Sequence, residues 1–178
     1  MKLPPSGSQT VGPYFRIGLQ HLCTEGVKEA PAGSVLVTGK VLDAEGVPVT
    51  DAMLEIFYAG GDGEPRSGEQ ASKFIRVPTD GEGQYRFAVE RVASLNGDAG
   101  TKQAPHLAVL VFSRGLLRHL ITRMYFPDES ANKTDAILQS VEPERQQTLI
   151  ARPDAQMPDA LEWNVVLQGE DETVFFAW

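Results

Sequence analysis

The stretch APHLAVLVFSRGLLRHLITRMYF, residues 104–126, is the longest apolar, β-prone run in the chain, and the rest is read from it. It divides into two strands, 106–112 and 120–126, with Ser113-Arg114-Gly115 breaking the first. In the first strand Leu107, Val109 and Val111 alternate with Ala108, Leu110 and Phe112, so both faces are apolar. A strand of that kind is covered on both sides, which predicts a central place in a sheet. His106, His119, Arg114, Arg118 and Arg123 lie on or beside it, where polar groups need a purpose.

Outward from this pair, short alternating runs are separated by turn signals. Toward the N-terminus, residues 84–89 carry Tyr85, Phe87 and Val89 on one face, and residues 35–42 and 52–58 give two further strands. The turns are Asp43-Ala44-Glu45-Gly46 and Thr79-Asp80-Gly81-Glu82-Gly83. A glycine-dense loop covers 59–65 and runs into a polar tract reaching about Val77, while 90–103 reads as a long aperiodic loop. Toward the C-terminus, 134–138 offers one helical turn, and 143–151 the best helix, with Pro143 at its first position and Glu144 in its first turn. Residues 161–167 and 173–178 close the chain as strands. The first thirty residues, with Pro4, Pro5, Gly7, Gly12, Pro13 and Gly18, read as extended and leave little room for helix. The expectation is a mainly β chain, an antiparallel β-sandwich with one or two short helices, forming one domain over 1–178: an N-terminal arm over 1–33 and the sandwich over 34–178.

Composition narrows the function classes. The 178 residues carry a formal net charge of −8, against the excess of Lys and Arg that nucleic acids or anionic membranes require. The lone cysteine, Cys23, has no internal disulfide partner. No apolar run reaches the roughly 20 residues of a membrane helix, and no secretion signal opens the sequence, so a cytoplasmic protein is expected. Self-contained catalysis finds little support: there is no G-x-S-x-G, no H-x-x-x-H or H-x-H, and no phosphate-cradling loop, because Gly60-Gly61-Asp62-Gly63 lacks a following Lys.

One patch is unusual. Ser8-Gln9-Thr10-Val11-Gly12-Pro13-Tyr14-Phe15 sets small hydroxyls before a Gly-Pro corner and two aromatics. Its aromatics either pack on the body of the protein, or the corner brings backbone close to a neighbouring site.

Several segments together resemble the intradiol ring-cleavage dioxygenases: the Ser8–Tyr14 patch, Val37-Thr38-Gly39-Lys40-Val41, Gly83-Gln84-Tyr85-Arg86-Phe87, Ala104-Pro105-His106, Arg114-Gly115, Thr122-Arg123-Met124-Tyr125-Phe126, and Gly169-Glu170-Asp171-Glu172-Thr173-Val174-Phe175-Phe176. The resemblance implies a β-sandwich of mixed topology. It also implies, in iron-bearing members, a ferric ion held by two tyrosines and two histidines, the latter in a P-x-H-x-H pattern. Here Pro105-His106-Leu107-Ala108 keeps the first histidine and has Ala108 at the second place. The tyrosine places fall at Pro65 and near Ala93. A lone surviving donor cannot hold Fe(III).

The family likeness therefore implies a non-ferric α subunit with no metal of its own and His106 as a vestigial position. Fe(III) would be held by a β subunit of the same fold in a hetero-oligomer of α/β pairs. The implied substrates are 3,4-dihydroxybenzoate and O2, cleaved between the two hydroxyls to 3-carboxy-cis,cis-muconate. Thr10, Gly12, Pro13, Tyr14 and Arg114 would line the substrate pocket, and Arg123 would enter a subunit ion pair. The competing reading is a non-catalytic prealbumin-like β-sandwich that binds or scaffolds.

Overall fold

The computed structural model describes residues 10, 12–24, 27, 29–60, 72–90, 92–96 and 102–177. Two sheets face each other. In one, β1 (Ser34–Leu42) pairs antiparallel with β4 (Gln84–Glu90) along its length. On its other edge β1 runs parallel with β10 (Ala160–Glu162) and then with β11 (Val165–Val166), and β9 (Arg152–Pro153) lies antiparallel outside β10. The second sheet has the order β3 (Ser72–Pro78), β2 (Met53–Ala59), β7 (His106–Phe112), β8 (Leu120–Tyr125), all antiparallel. The architecture is thus the expected β-sandwich, and its mixed topology comes from the two short parallel ladders.

The inward faces follow the sequence alternation. Val37, Val41, Phe87 and Val89 meet Leu54, Ile56, Leu107, Val109 and Val111, all fully buried. Removing each such side chain from water contributes on the order of 1.5–3 kcal/mol. Gly39 has a steric reason to be glycine: the Trp163 backbone crosses directly above it, and a Cβ there would overlap the Trp163 carbonyl and lie 2.7 Å from the Tyr85 hydroxyl. That hydroxyl donates to the same carbonyl, so strand β1, strand β4 and the chain between β10 and β11 are tied at one point. Here the expected strand over 161–167 is interrupted. Trp163 N still donates to Thr38 O (2.8 Å), but the ladder acceptor for Lys40 N is the Asn164 side chain (2.8 Å).

Several other expectations give way. β7 does lie between β2 and β8, yet only its Leu107, Val109 and Val111 face is sealed, while Ala108, Leu110 and Phe112 are half-buried. The first thirty residues include a helix, α1 (Gly12–Leu19), continued by a 3-10 turn at Gln20–Leu22. Gly-Pro opens this helix rather than breaking it, since proline fits a helix start and Phe15 and Leu19 share a face at i, i+4 spacing. Phe15 packs tilted on Phe112 (4.9 Å between ring centres) and Arg16 Nη2 donates to Thr79 O (2.8 Å). The polar tract hides β3, whose Ile75 and Val77 point inward while Arg76 pairs with Glu55 (2.6 Å) and Lys73 with Glu90. Within 90–103, β5 (Leu95–Asn96) and β6 (Lys102–Gln103) pair.

One helical turn falls where expected, as α2 (Ala136–Gln139). The helix expected over 143–151 shrinks to α3 (Pro143–Gln146), because the sheet captures the rest: Tyr125 N donates to Leu149 O (2.8 Å) and Ala151 N to Tyr125 O (3.0 Å). No strand forms among the described residues of 173–177. That segment is held instead by Thr173 N to Val166 O (3.0 Å) and Phe176 N to Ile121 O (2.7 Å).

Candidate functional site

Two polar regions lie at opposite ends of β7. The first, at its C-terminal end, gathers residues far apart in sequence. Ser113, buried, starts a tight turn closed by Leu116 N donating to Ser113 O (3.3 Å), and Gly115 takes the positive φ (86°) that the turn demands. The Gly115 N–H donates to Thr10 Oγ1 (3.0 Å), fastening the arm to the turn. Arg114 extends from the turn with 68% of its side chain exposed, and its Nε lies 2.9 Å from Asp51 Oδ2. α1 starts beside it: the Phe15 ring packs on Phe112, which in turn faces His119 at 5.4 Å. Tyr14 is 80% exposed, and Leu117 and Ile17 also present apolar surface.

Of the expected pocket residues, Thr10 is bonded to the turn that carries Arg114, while Gly12, Pro13 and Tyr14 form the first turn of α1. Asp51, which holds Arg114, carries no signal in sequence that marks it.

The second region, at the N-terminal end of β7, is the place where the family resemblance puts the metal. His106 is buried, and its Nδ1 is bonded to Ala104 O (2.7 Å). Across the β7–β8 ladder its register partner is Tyr125, and the partner of Ala108 is Arg123. Cross-strand partners put their side chains on one face. Arg123 is buried, and its Nη1 donates to Gln103 Oε1 (2.9 Å) and to the Tyr125 hydroxyl (3.4 Å). The hydroxyl donates to Asp135 Oδ1 (3.1 Å). Asp135, fully buried, also accepts from Ile137 N (3.0 Å), Leu138 N (2.9 Å) and Ala104 N (2.7 Å), so it caps α2 and ties that helix to the strand. An Asp directly ahead of Ala-Ile-Leu is a helix-start signal that sequence could have supplied. Arg123, expected in a subunit ion pair, makes these bonds within the chain.

The surroundings favour the uncharged forms of His106 and Tyr125. Burial, reinforced by the Arg123 guanidinium, lowers the His106 pKa to about 4, against the Ala104 carbonyl bond and Asp135, which pull the other way. Burial raises the Tyr125 pKa to about 12, and its hydroxyl is bonded to Arg123 and Asp135. The Ala108 side chain has no ligand atom, and Ala93, near the second tyrosine place, donates its backbone N–H to Ala59 O (3.1 Å). Pro65, at the first tyrosine place, lies outside the described residues. A buried guanidinium beside one histidine is the wrong charge for a metal cation, and no group of three His, Cys, Asp or Glu side chains gathers among the described residues. Tyr58 and Tyr85 are buried core residues.

A groove of about 760 Å³ lies elsewhere, between α1 and the β3–β4 side, lined by Arg16, His21, Cys23 and Arg86 among others. Arg16 Nη2 donates to Thr79 O (2.8 Å) while its Nε is buried without a hydrogen bond among the described residues, and Arg86 Nη2 lies 3.8 Å from Met157 Sδ. Burial raises the Cys23 pKa, so its thiol is no ready nucleophile.

With this geometry in place, three comparisons bear on identity. The family model described as "Dioxygenase" matches residues 12–169. The protocatechuate 3,4-dioxygenase alpha chain of Burkholderia cepacia is 41% identical over 98% of this chain and 98% of its own, whereas the beta chain from the same organism is 29% identical over 96% of this chain and 78% of its own. Among solved structures, the 3-chlorocatechol 1,2-dioxygenase of Rhodococcus opacus superposes with a TM-score of 0.60 at 18% identity, covering 93% of this chain and 69% of that one, a likeness of fold alone. A fold, a patterned set of motifs and a sequence match along nearly the whole length agree, and the chain belongs to the intradiol dioxygenase family.

Proposed function

We propose that this chain is the non-ferric α subunit of a protocatechuate 3,4-dioxygenase and completes the substrate pocket of an iron-bearing β subunit of the same fold. The observation that carries this reading is a separation. From His106 to Phe112 the β7 strand climbs roughly 20 Å at about 3.3 Å per residue, and Arg114 lies beyond it. The rim of Thr10, Gly12, Pro13, Tyr14 and Arg114 is therefore too far from the chain's own metal place to serve it. A rim with exposed aromatic, apolar and cationic groups is suited to a site on another chain. The donor-poor, guanidinium-filled metal place supports the same division of labour.

In this reading the partner supplies the ferric ion for cleavage of 3,4-dihydroxybenzoate by O2 between its hydroxyls. This chain supplies orientation: exclusion of water by Tyr14, close backbone approach at Gly12-Pro13, and a guanidinium able to bond the substrate carboxylate. The test is the Arg114→Ala enzyme assembled with its β partner. Loss of one charge-assisted bond worth about 1.5–3 kcal/mol lowers kcat/KM about 10- to 100-fold. Unchanged kinetics with intact assembly and iron content would reject Arg114 as a pocket residue.

A further inference from the structure

We propose that Asp51 is a positioning residue for Arg114, holding the Nε edge of the guanidinium so that its two terminal nitrogens face an aromatic carboxylate at the rim; this rests on the role given to Arg114 above. Asp51 lies two residues before the start of β2 and differs from the other turn aspartates. Asp43, Asp80 and Asp154 each accept backbone N–H bonds from their own turns at 2.7–3.1 Å. Asp51 Oδ2 is buried and has no hydrogen bond among the described residues; its charged neighbour is Arg114 Nε at 2.9 Å, an ion pair in which the N–H is not aimed at the oxygen. A buried carboxylate oxygen left in that state is costly to a fold, and no cap or turn is gained from it.

What is gained lies on the other side of the ion pair. Arg114 is an exposed side chain with many rotamers, and a carboxylate at only 16% exposure, 2.9 Å from its Nε, draws that end of the guanidinium toward the turn by charge. The terminal nitrogens are the donors left for bidentate carboxylate recognition. The turn itself is immobilised by buried Ser113 and by the Gly115 bond to Thr10, so Asp51 acts on a guanidinium whose backbone is already set.

The experiment uses the assembled α/β enzyme with Asp51→Asn, Asp51→Glu, Arg114→Ala and the Asp51→Asn/Arg114→Ala double variant. The readouts are kcat and KM for 3,4-dihydroxybenzoate and the inhibition constant of 1,2-dihydroxybenzene, which keeps both hydroxyls and lacks the carboxylate. Asp51→Asn should raise KM about 3- to 10-fold with kcat within about twofold, the size of a coupling between neighbouring groups. The 1,2-dihydroxybenzene constant should not move, and Asp51→Asn should add nothing in the Arg114→Ala background. Asp51→Glu keeps the charge and should recover part of the loss; if Asp51→Asn fails to assemble, KM for Asp51→Glu should still rise about 2-fold. A silent Asp51→Asn beside a damaging Arg114→Ala overturns this inference and leaves the pocket reading standing. An equal effect on charged and uncharged ligands, or an undiminished effect without Arg114, also overturns it. A silent Arg114→Ala rejects Arg114 as a pocket residue, and this inference with it.

Discussion

Acidification should unfold this chain through His106 in a way that can be sized from the structure. The imidazole is packed against Tyr125 at 5.5 Å between ring centres, with Arg123 beside it and Asp135 beyond. In the unfolded chain it titrates near its ordinary 6.5, in the folded chain near 4, because burial and Arg123 disfavour its charged form. The unfolded state therefore binds more protons between those values, and stability falls as pH drops from about 6.5 to about 4. Two and a half pH units at 1.36 kcal/mol each give about 3 kcal/mol, an order-of-magnitude figure needing no solvent discount because the ring is only 4% exposed. Carboxylates titrate in the lower part of that window, so the informative quantity is the difference between the wild-type chain and His106→Asn, measured by urea denaturation at pH steps from 7.5 to 4. The wild type should lose on the order of 3 kcal/mol more than the variant over that span. A flat difference curve, or an imidazole that titrates above pH 6 by NMR in the folded protein, would refute the buried neutral histidine.

Other perturbations test other joints. Gly39→Ala places a methyl group against the Trp163 carbonyl and 2.7 Å from the Tyr85 hydroxyl, neither of which can move without breaking a ladder, so a loss of about 3 kcal/mol is expected in thermal or urea denaturation. A substitution without effect would show that the crossing is looser than described. Restoring the second histidine with Ala108→His should leave the chain without ferric iron, because Arg123 is its cross-strand partner; metal analysis with a tyrosinate-to-iron absorbance band would contradict this.

Much of this was written in the alternation of apolar residues. The core faces of β1, β4 and β7 were legible because each follows period 2 with clear turns around it. β3 was hidden because Lys73 and Arg76 make it look polar, and their partners Glu90 and Glu55 are visible only once the strands pair. α1 was missed because glycine and proline at its start weighed against helix when they mark its first turn. The helix beginning at Pro143 was overextended, since a local pattern cannot report that Tyr125 claims the backbone of Leu149 and Ala151. For the site, the missing donor at Ala108 was plain in the sequence. What stands across from it, Arg123 bound to Gln103 and Tyr125, depends on register, and Asp51 on a contact between residues 63 positions apart, neither of which composition encodes.

The proposed function requires that this dioxygenase sandwich hold no metal of its own and work against a sister chain. Iron content and ring-cleavage turnover, measured for the purified chain alone and after assembly with the iron-bearing β chain, test it most directly. Alone, the chain should carry no stoichiometric iron and leave 3,4-dihydroxybenzoate intact, and together the pair should hold one iron per β chain and open the ring. One ferric ion per chain with turnover in the absence of any partner would contradict it.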